Sequence, residues 1–82
     1  MQRQYSDNDS VEIFKELMPD GVGTRIAATF KRAGFETLDR VRRLSPEGLS
    51  KIPGMGDRLA RHTLILMRRI GKPLQGDEED AA

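Results

Sequence analysis

Apolar side chains along this chain recur at intervals of three and four rather than two. Val11, Phe14 and Leu17 with Met18 form one such set, and Ile26, Ala27, Phe30 and Ala33 a second. Leu38, Val41 and Leu44 form a third, and Ala60, Leu64, Met67 and Ile70 a fourth. A period near 3.6 gathers each set on one face of a helix. Alternating runs of Val, Ile, Thr and Tyr are absent, which argues against a sheet.

The residues between these sets mark the boundaries. Asp9 or Ser10 supplies a cap for a first helix over about 10–18, and Pro19-Asp20-Gly21-Val22-Gly23 breaks it. Thr24 is placed to cap a second helix that stops at Ala33-Gly34, with Gly34 in the left-handed position after a helix end. Thr37 starts a short helix to about Leu44. Ser45-Pro46 gives a cap followed by proline at the first helical position, for another helix to about Lys51. Pro53-Gly54-Met55-Gly56 then turns the chain into the longest helix, opened by Asp57 and ending near Gly71-Lys72-Pro73. The expectation is an all-α fold of five short helices. Residues 1–9 and 73–82 carry few apolar side chains, so both ends are expected to be disordered around a domain spanning 10–72.

Composition narrows the possibilities further. Eighty-two residues allow one small domain and exclude a multi-domain enzyme. With no cysteine and a single histidine, neither disulfides nor a structural metal hold the fold, and helix packing remains. His62 has no second His or Cys at ligand spacing, and no nucleophile–base set is present, so no metal, cofactor or catalytic residue is expected. No apolar run approaches the ~20 residues that span a bilayer, and the polar amino terminus is unlike a signal peptide. A cytoplasmic protein without a membrane partner is expected, nucleoid-associated if bacterial.

The formal net charge of +1 conceals an uneven distribution. Residues 10–75 hold 13 of the 14 Lys and Arg but 7 of the 13 Asp and Glu, whereas Asp77, Glu78, Glu79 and Asp80 form an acidic tail. A compact body with this surplus attracts polyanions. The tail reads as a soluble end, or alternatively as a segment that folds over the basic face and competes with phosphate.

The strongest signal is an internal repeat. Gly21-Val22-Gly23-Thr24-Arg25-Ile26-Ala27 and Gly54-Met55-Gly56-Asp57-Arg58-Leu59-Ala60 share the pattern Gly-apolar-Gly-polar-Arg-apolar-Ala, and each follows a short apolar helix and a proline. One structural unit is used twice. In such a turn the first glycine takes a positive φ, the apolar residue points inward, and the second glycine leaves the backbone bare for another molecule to approach. The unpaired N–H groups at the start of the following helix then suit a phosphate. Arg25 and Arg58 lie in the first helical turn, where a guanidinium reaches a neighbouring phosphate oxygen.

On these motifs the chain resembles the helix-hairpin-helix family in its tandem form, in which two motifs and a linking helix make a five-helix domain. Ile52-Pro53-Gly54-Met55-Gly56-Asp57-Arg58-Leu59-Ala60 carries one motif, and Met18-Pro19-Asp20-Gly21-Val22-Gly23-Thr24-Arg25-Ile26-Ala27 a slightly extended one. Within the family it looks similar to the C-terminal domain of the bacterial RNA polymerase α subunit. It also looks similar to the N-terminal domain of archaeal and eukaryotic RecA-family recombinases, through Lys31-Arg32-Ala33-Gly34-Phe35-Glu36-Thr37-Leu38 and Ser45-Pro46-Glu47-Gly48-Leu49. The resemblance implies DNA binding through the backbone with little sequence reading, in transcription, repair or recombination. By alignment with the polymerase domain, Arg25 enters the minor groove, Arg58 touches phosphate and Gly56 offers its N–H. Ala28, Thr29 and Leu59 stand where that domain has polar contacts, so the phosphate clamp carries over better than promoter recognition.

The expected site therefore comprises Gly21, Gly23, Thr24, Arg25, Lys51, Gly54, Gly56, Arg58 and Arg61 on double-stranded DNA, each hairpin gripping one strand across the minor groove. Arg58, Arg61, Arg68 and Lys72 form a basic stripe on the last helix, and Arg25, Thr29 and Arg32 a shorter one on the second. The alternative is a protein-interaction module acting in transcription, contacting RNA polymerase or another DNA-processing protein through the linking helix and its Arg40, Arg42 and Arg43.

Overall fold

The computed structural model describes residues 4–18 and 20–77, and among these there are five helices and no strand. The helices are α1 (Ile13–Leu17), α2 (Val22–Ala33), α3 (Leu38–Arg42), α4 (Pro46–Ser50) and α5 (Gly56–Arg69). Ser45 Oγ accepts the Gly48 N–H at 3.0 Å with Pro46 at the first helical position, so α4 starts as its sequence predicts. Gly34, at φ +92°, closes α2.

Two helix starts differ from expectation. The N-cap of α2 is Gly21, at φ +97°, and Thr24 lies inside the first turn, exposed and capping nothing. A glycine able to turn left-handed reverses the chain two residues before a threonine could. Helix α1 begins at Ile13 rather than near residue 10, because Ser10 and Thr37 form an isolated antiparallel bridge and the Val11 N–H donates to the Glu36 carbonyl at 3.0 Å. Pro19, the expected helix breaker, lies outside the described residues.

Helix α1 packs on α2, α4 packs on α5, and α2 crosses α5. Phe14, Ile26, Phe30, Leu38, Leu49, Met55 and Met67 are fully buried between them. Burying each such side chain contributes about 1.5–3 kcal/mol. The Phe14 and Phe30 rings lie 5.9 Å apart, and Phe35 meets Phe30 edge-on at 6.2 Å. Ala27 and Ala60, equivalent in the repeat, are both buried, and their small size lets the helices approach closely.

The described parts of both ends, residues 4–9 and 73–77, make contacts with this body. The Asp7 carboxylate accepts from Arg42 Nη1 at 2.9 Å and from Lys72 Nζ at 3.0 Å, while the Leu38 and Asp39 N–H groups donate to the Asp9 and Asp7 carbonyls. At the other end Leu74 is buried, the Gln75 N–H donates to the Arg42 carbonyl, and Asp77 holds Arg68 through two hydrogen bonds. Both segments are anchored by a few long-range contacts, so their polar composition does not leave them unsupported. Residues 1–3 and 78–82, including most of the acidic tail, lie outside the described residues.

Candidate functional site

The two glycine turns, so alike in sequence, are built differently. In the first, Gly21 is exposed and left-handed, but Gly23 is buried against α1: an added methyl group would overlap the Phe14 carbonyl oxygen and stand 2.7 Å from that of Met18. The amides of this turn are largely engaged. The Val22 N–H donates to Asp20 Oδ1 at 3.3 Å, the Gly23 N–H to the Met18 carbonyl at 3.2 Å, and the Arg25 N–H to the Gly21 carbonyl at 3.2 Å. Gly23 was expected to bare its backbone to a ligand. Its missing side chain instead lets α2 lie against α1.

In the second turn Met55 is buried as the anchor, and its N–H donates to the Ile52 carbonyl at 2.9 Å. Gly54 and Gly56 are exposed, at φ +88° and +66°, and a methyl group at Gly56 would meet nothing within 4 Å. Among the described residues, the N–H groups of Gly56, Asp57 and Arg58 have no acceptor, and no side chain caps α5. These three residues are exposed and stand at the positive end of a 14-residue helix.

Each turn lies against the helix that follows the other. A methyl group at Gly54 would sit 3.7 Å from Arg32 Nη1 and 3.8 Å from Thr29, while Asp20 shares a surface groove with His62, Ile65 and Arg69 of α5. Arg32, absent from the expected site, is thereby brought to the second turn. Its seven-residue spacing from Arg25, which puts both on one face of α2, is the sequence signal for it. Thr29 does not belong to an exposed stripe: it is buried, and its hydroxyl donates to the Arg25 carbonyl at 2.8 Å.

Thr24, Arg25, Lys51, Arg58 and Arg61 are all exposed. Arg58 and Arg61 line a groove with Asp57 and with Pro46 and Ser50 of α4. Among the described residues Arg25, Arg32, Lys51, Arg58 and Arg61 make no ion pair, as is also true of Arg40 and Arg69. The remaining described cations are matched: Lys15 and Lys31 with Glu12, Arg42 and Lys72 with Asp7, Arg43 with Asp39, Arg68 with Asp77. The far end of the α5 stripe, Arg68 and Lys72, is thus tied to the chain's own carboxylates. Lys72 and then Arg42 hold the Asp7 carboxyl below its ordinary range, and Lys15 with Lys31 pull Glu12 down to about 2.

Among the described residues no group of His, Cys, Asp or Glu is assembled to hold a metal, and no helix is long and apolar enough to cross a membrane. Residues 19–62, which contain both turns, match the family model of the SAM-like helix-hairpin-helix tandem. The match does not discriminate between polymerase-like and recombinase-like domains. No curated protein and no solved structure matches the chain.

Proposed function

The chain belongs to the SAM-like helix-hairpin-helix tandem family, and from that premise we propose that it binds double-stranded DNA through the phosphate backbone across the minor groove, with little sequence preference. The observation that carries this reading is the sorting of charge. Of the seven described cations without an ion pair, Arg25, Arg32, Lys51, Arg58 and Arg61 lie at the turns or on the faces leading to them, Arg69 shares a groove with Asp20, and Arg40 alone lies on α3, whereas Lys72, Arg42 and Arg68 are neutralised by the chain's own carboxylates. Unpaired guanidinium groups beside exposed amides recognise phosphate oxygens by charge-assisted hydrogen bonds. No Asn or Gln stands on α2 or α5 for a bidentate contact with a base edge, which favours backbone over sequence recognition.

Fluorescence anisotropy of a labelled short duplex at low salt tests the proposal. Arg25→Glu with Arg58→Glu reverses two exposed charges that make no internal ion pair, so the variant keeps the wild-type far-UV circular dichroism. Affinity is expected to fall by about a hundredfold, since each reversal removes one phosphate contact and adds a repulsion. An affinity within twofold of wild type refutes the proposal.

A further inference from the structure

Resting on the nucleic-acid reading above, we infer that the DNA-facing surface is centred on the second turn alone and stops short of the first, which is a packing joint between α1 and α2. The charge distribution supports this division independently of the amides. Cations from three elements stand at or next to the second turn: Arg32 of α2 beside Gly54, Lys51 at the end of α4 just before the turn, and Arg58 and Arg61 on the first turns of α5 along its groove with α4, with Asp57 as the nearby acid. Beside the first turn stand two cations, Arg25 and Arg69 of α5, which shares a groove with Asp20, and the Asp20 carboxylate is hydrogen-bonded into the turn itself.

Asp20, like Asp57 at the second turn, repels an approaching phosphate, so the difference between the turns lies in the number of cations and in the amides. The Val22 and Gly23 amides that would receive it are already donating to the Asp20 carboxylate and the Met18 carbonyl. Gly23 cannot open to the outside without separating α1 from α2, because its Cα faces the Phe14 and Met18 carbonyls. A bound duplex therefore has one strand held by a run of amides together with guanidinium groups, and the other met by side-chain charge, chiefly Arg25, and at most the Thr24 amide. The duplication is preserved in sequence while its two copies have separated in role.

An amide chemical-shift titration of the full chain with a short duplex at low salt reads both turns at once. The largest shifts are expected at Gly54, Gly56, Asp57 and Arg58, with Val22 and Gly23 moving no more than the amides of α3. Shifts at Val22 and Gly23 as large as those at Gly56 overturn the division while leaving DNA binding in place. A titration that moves no amide overturns the binding proposal itself, and the division falls with it.

Discussion

Replacing Gly23 with alanine tests what the second glycine of the first turn is for. The added methyl group would overlap one backbone carbonyl and stand 2.7 Å from another, neither of which is the flexible end of a side chain. Restoring an ordinary contact of about 3.5 Å requires α1 and α2 to separate by roughly 1 Å or more. Overpacking of this kind costs about 1–3 kcal/mol, at the upper end when backbone must move. Weakening the bond from the Gly23 N–H to the Met18 carbonyl adds about 1 kcal/mol, and the better helix propensity of alanine returns about 1 kcal/mol. The net expectation is a loss of about 3 kcal/mol, out of roughly 4–12 kcal/mol for a domain of this length. At about 4–8 °C per kcal/mol, Tm falls by roughly 12–24 °C.

Gly56→Ala is the internal control. It occupies open space at φ +66°, so only left-handed backbone strain of about 1–2 kcal/mol applies. Urea and thermal unfolding followed by circular dichroism would rank the two variants. The reasoning fails if Gly23→Ala unfolds with the wild type, or if Gly56→Ala is the more damaging change.

Other consequences of the structure are testable in the same way. Asp77→Ala leaves Arg68 without two charge-assisted hydrogen bonds from a buried carboxylate and is expected to cost about 1–2 kcal/mol in urea unfolding, discounted for the exposure of the arginine; a neutral effect would mean that the segment around Leu74 is not anchored by this pair. Because the Asp7 and Glu12 carboxyls titrate below their ordinary values, their contribution to stability is complete above about pH 4.5 and is lost as pH falls toward 2. The urea midpoint of Asp7→Asn with Glu12→Gln should therefore change less over that window than that of wild type, and parallel pH profiles would contradict the assignment. Lys51→Ala should lower the affinity for a duplex without moving Tm, since its side chain is exposed and makes no ion pair; equal loss of both would place Lys51 in the fold rather than the interface.

The helices were legible because period and punctuation act locally: Ser45-Pro46 predicts a capped start and Gly34 a left-handed end, and both are found. The repeat located the turns, and Ala27 and Ala60 occupy equivalent buried positions. What the repeat could not disclose is that its glycines differ. Gly23 is dictated by the nearness of α1, and Gly56 by a positive φ, two requirements that one letter satisfies equally well. The packing of the ends was hidden for a related reason. Asp7 meets Arg42 across 35 residues and Lys72 across 65, and pairing at such separations leaves no trace in local composition. Arg32 was visible as part of a stripe, but its place beside Gly54 comes from the crossing of α2 against the α5 hairpin.

The account as a whole rests on phosphate being what the unpaired cations meet, and the salt dependence of duplex affinity tests that most directly. With Arg25, Arg32, Lys51, Arg58 and Arg61 engaged, log affinity against log salt concentration should be linear with a slope of about −4 to −5. A slope near zero, or no measurable affinity at low salt, would contradict it.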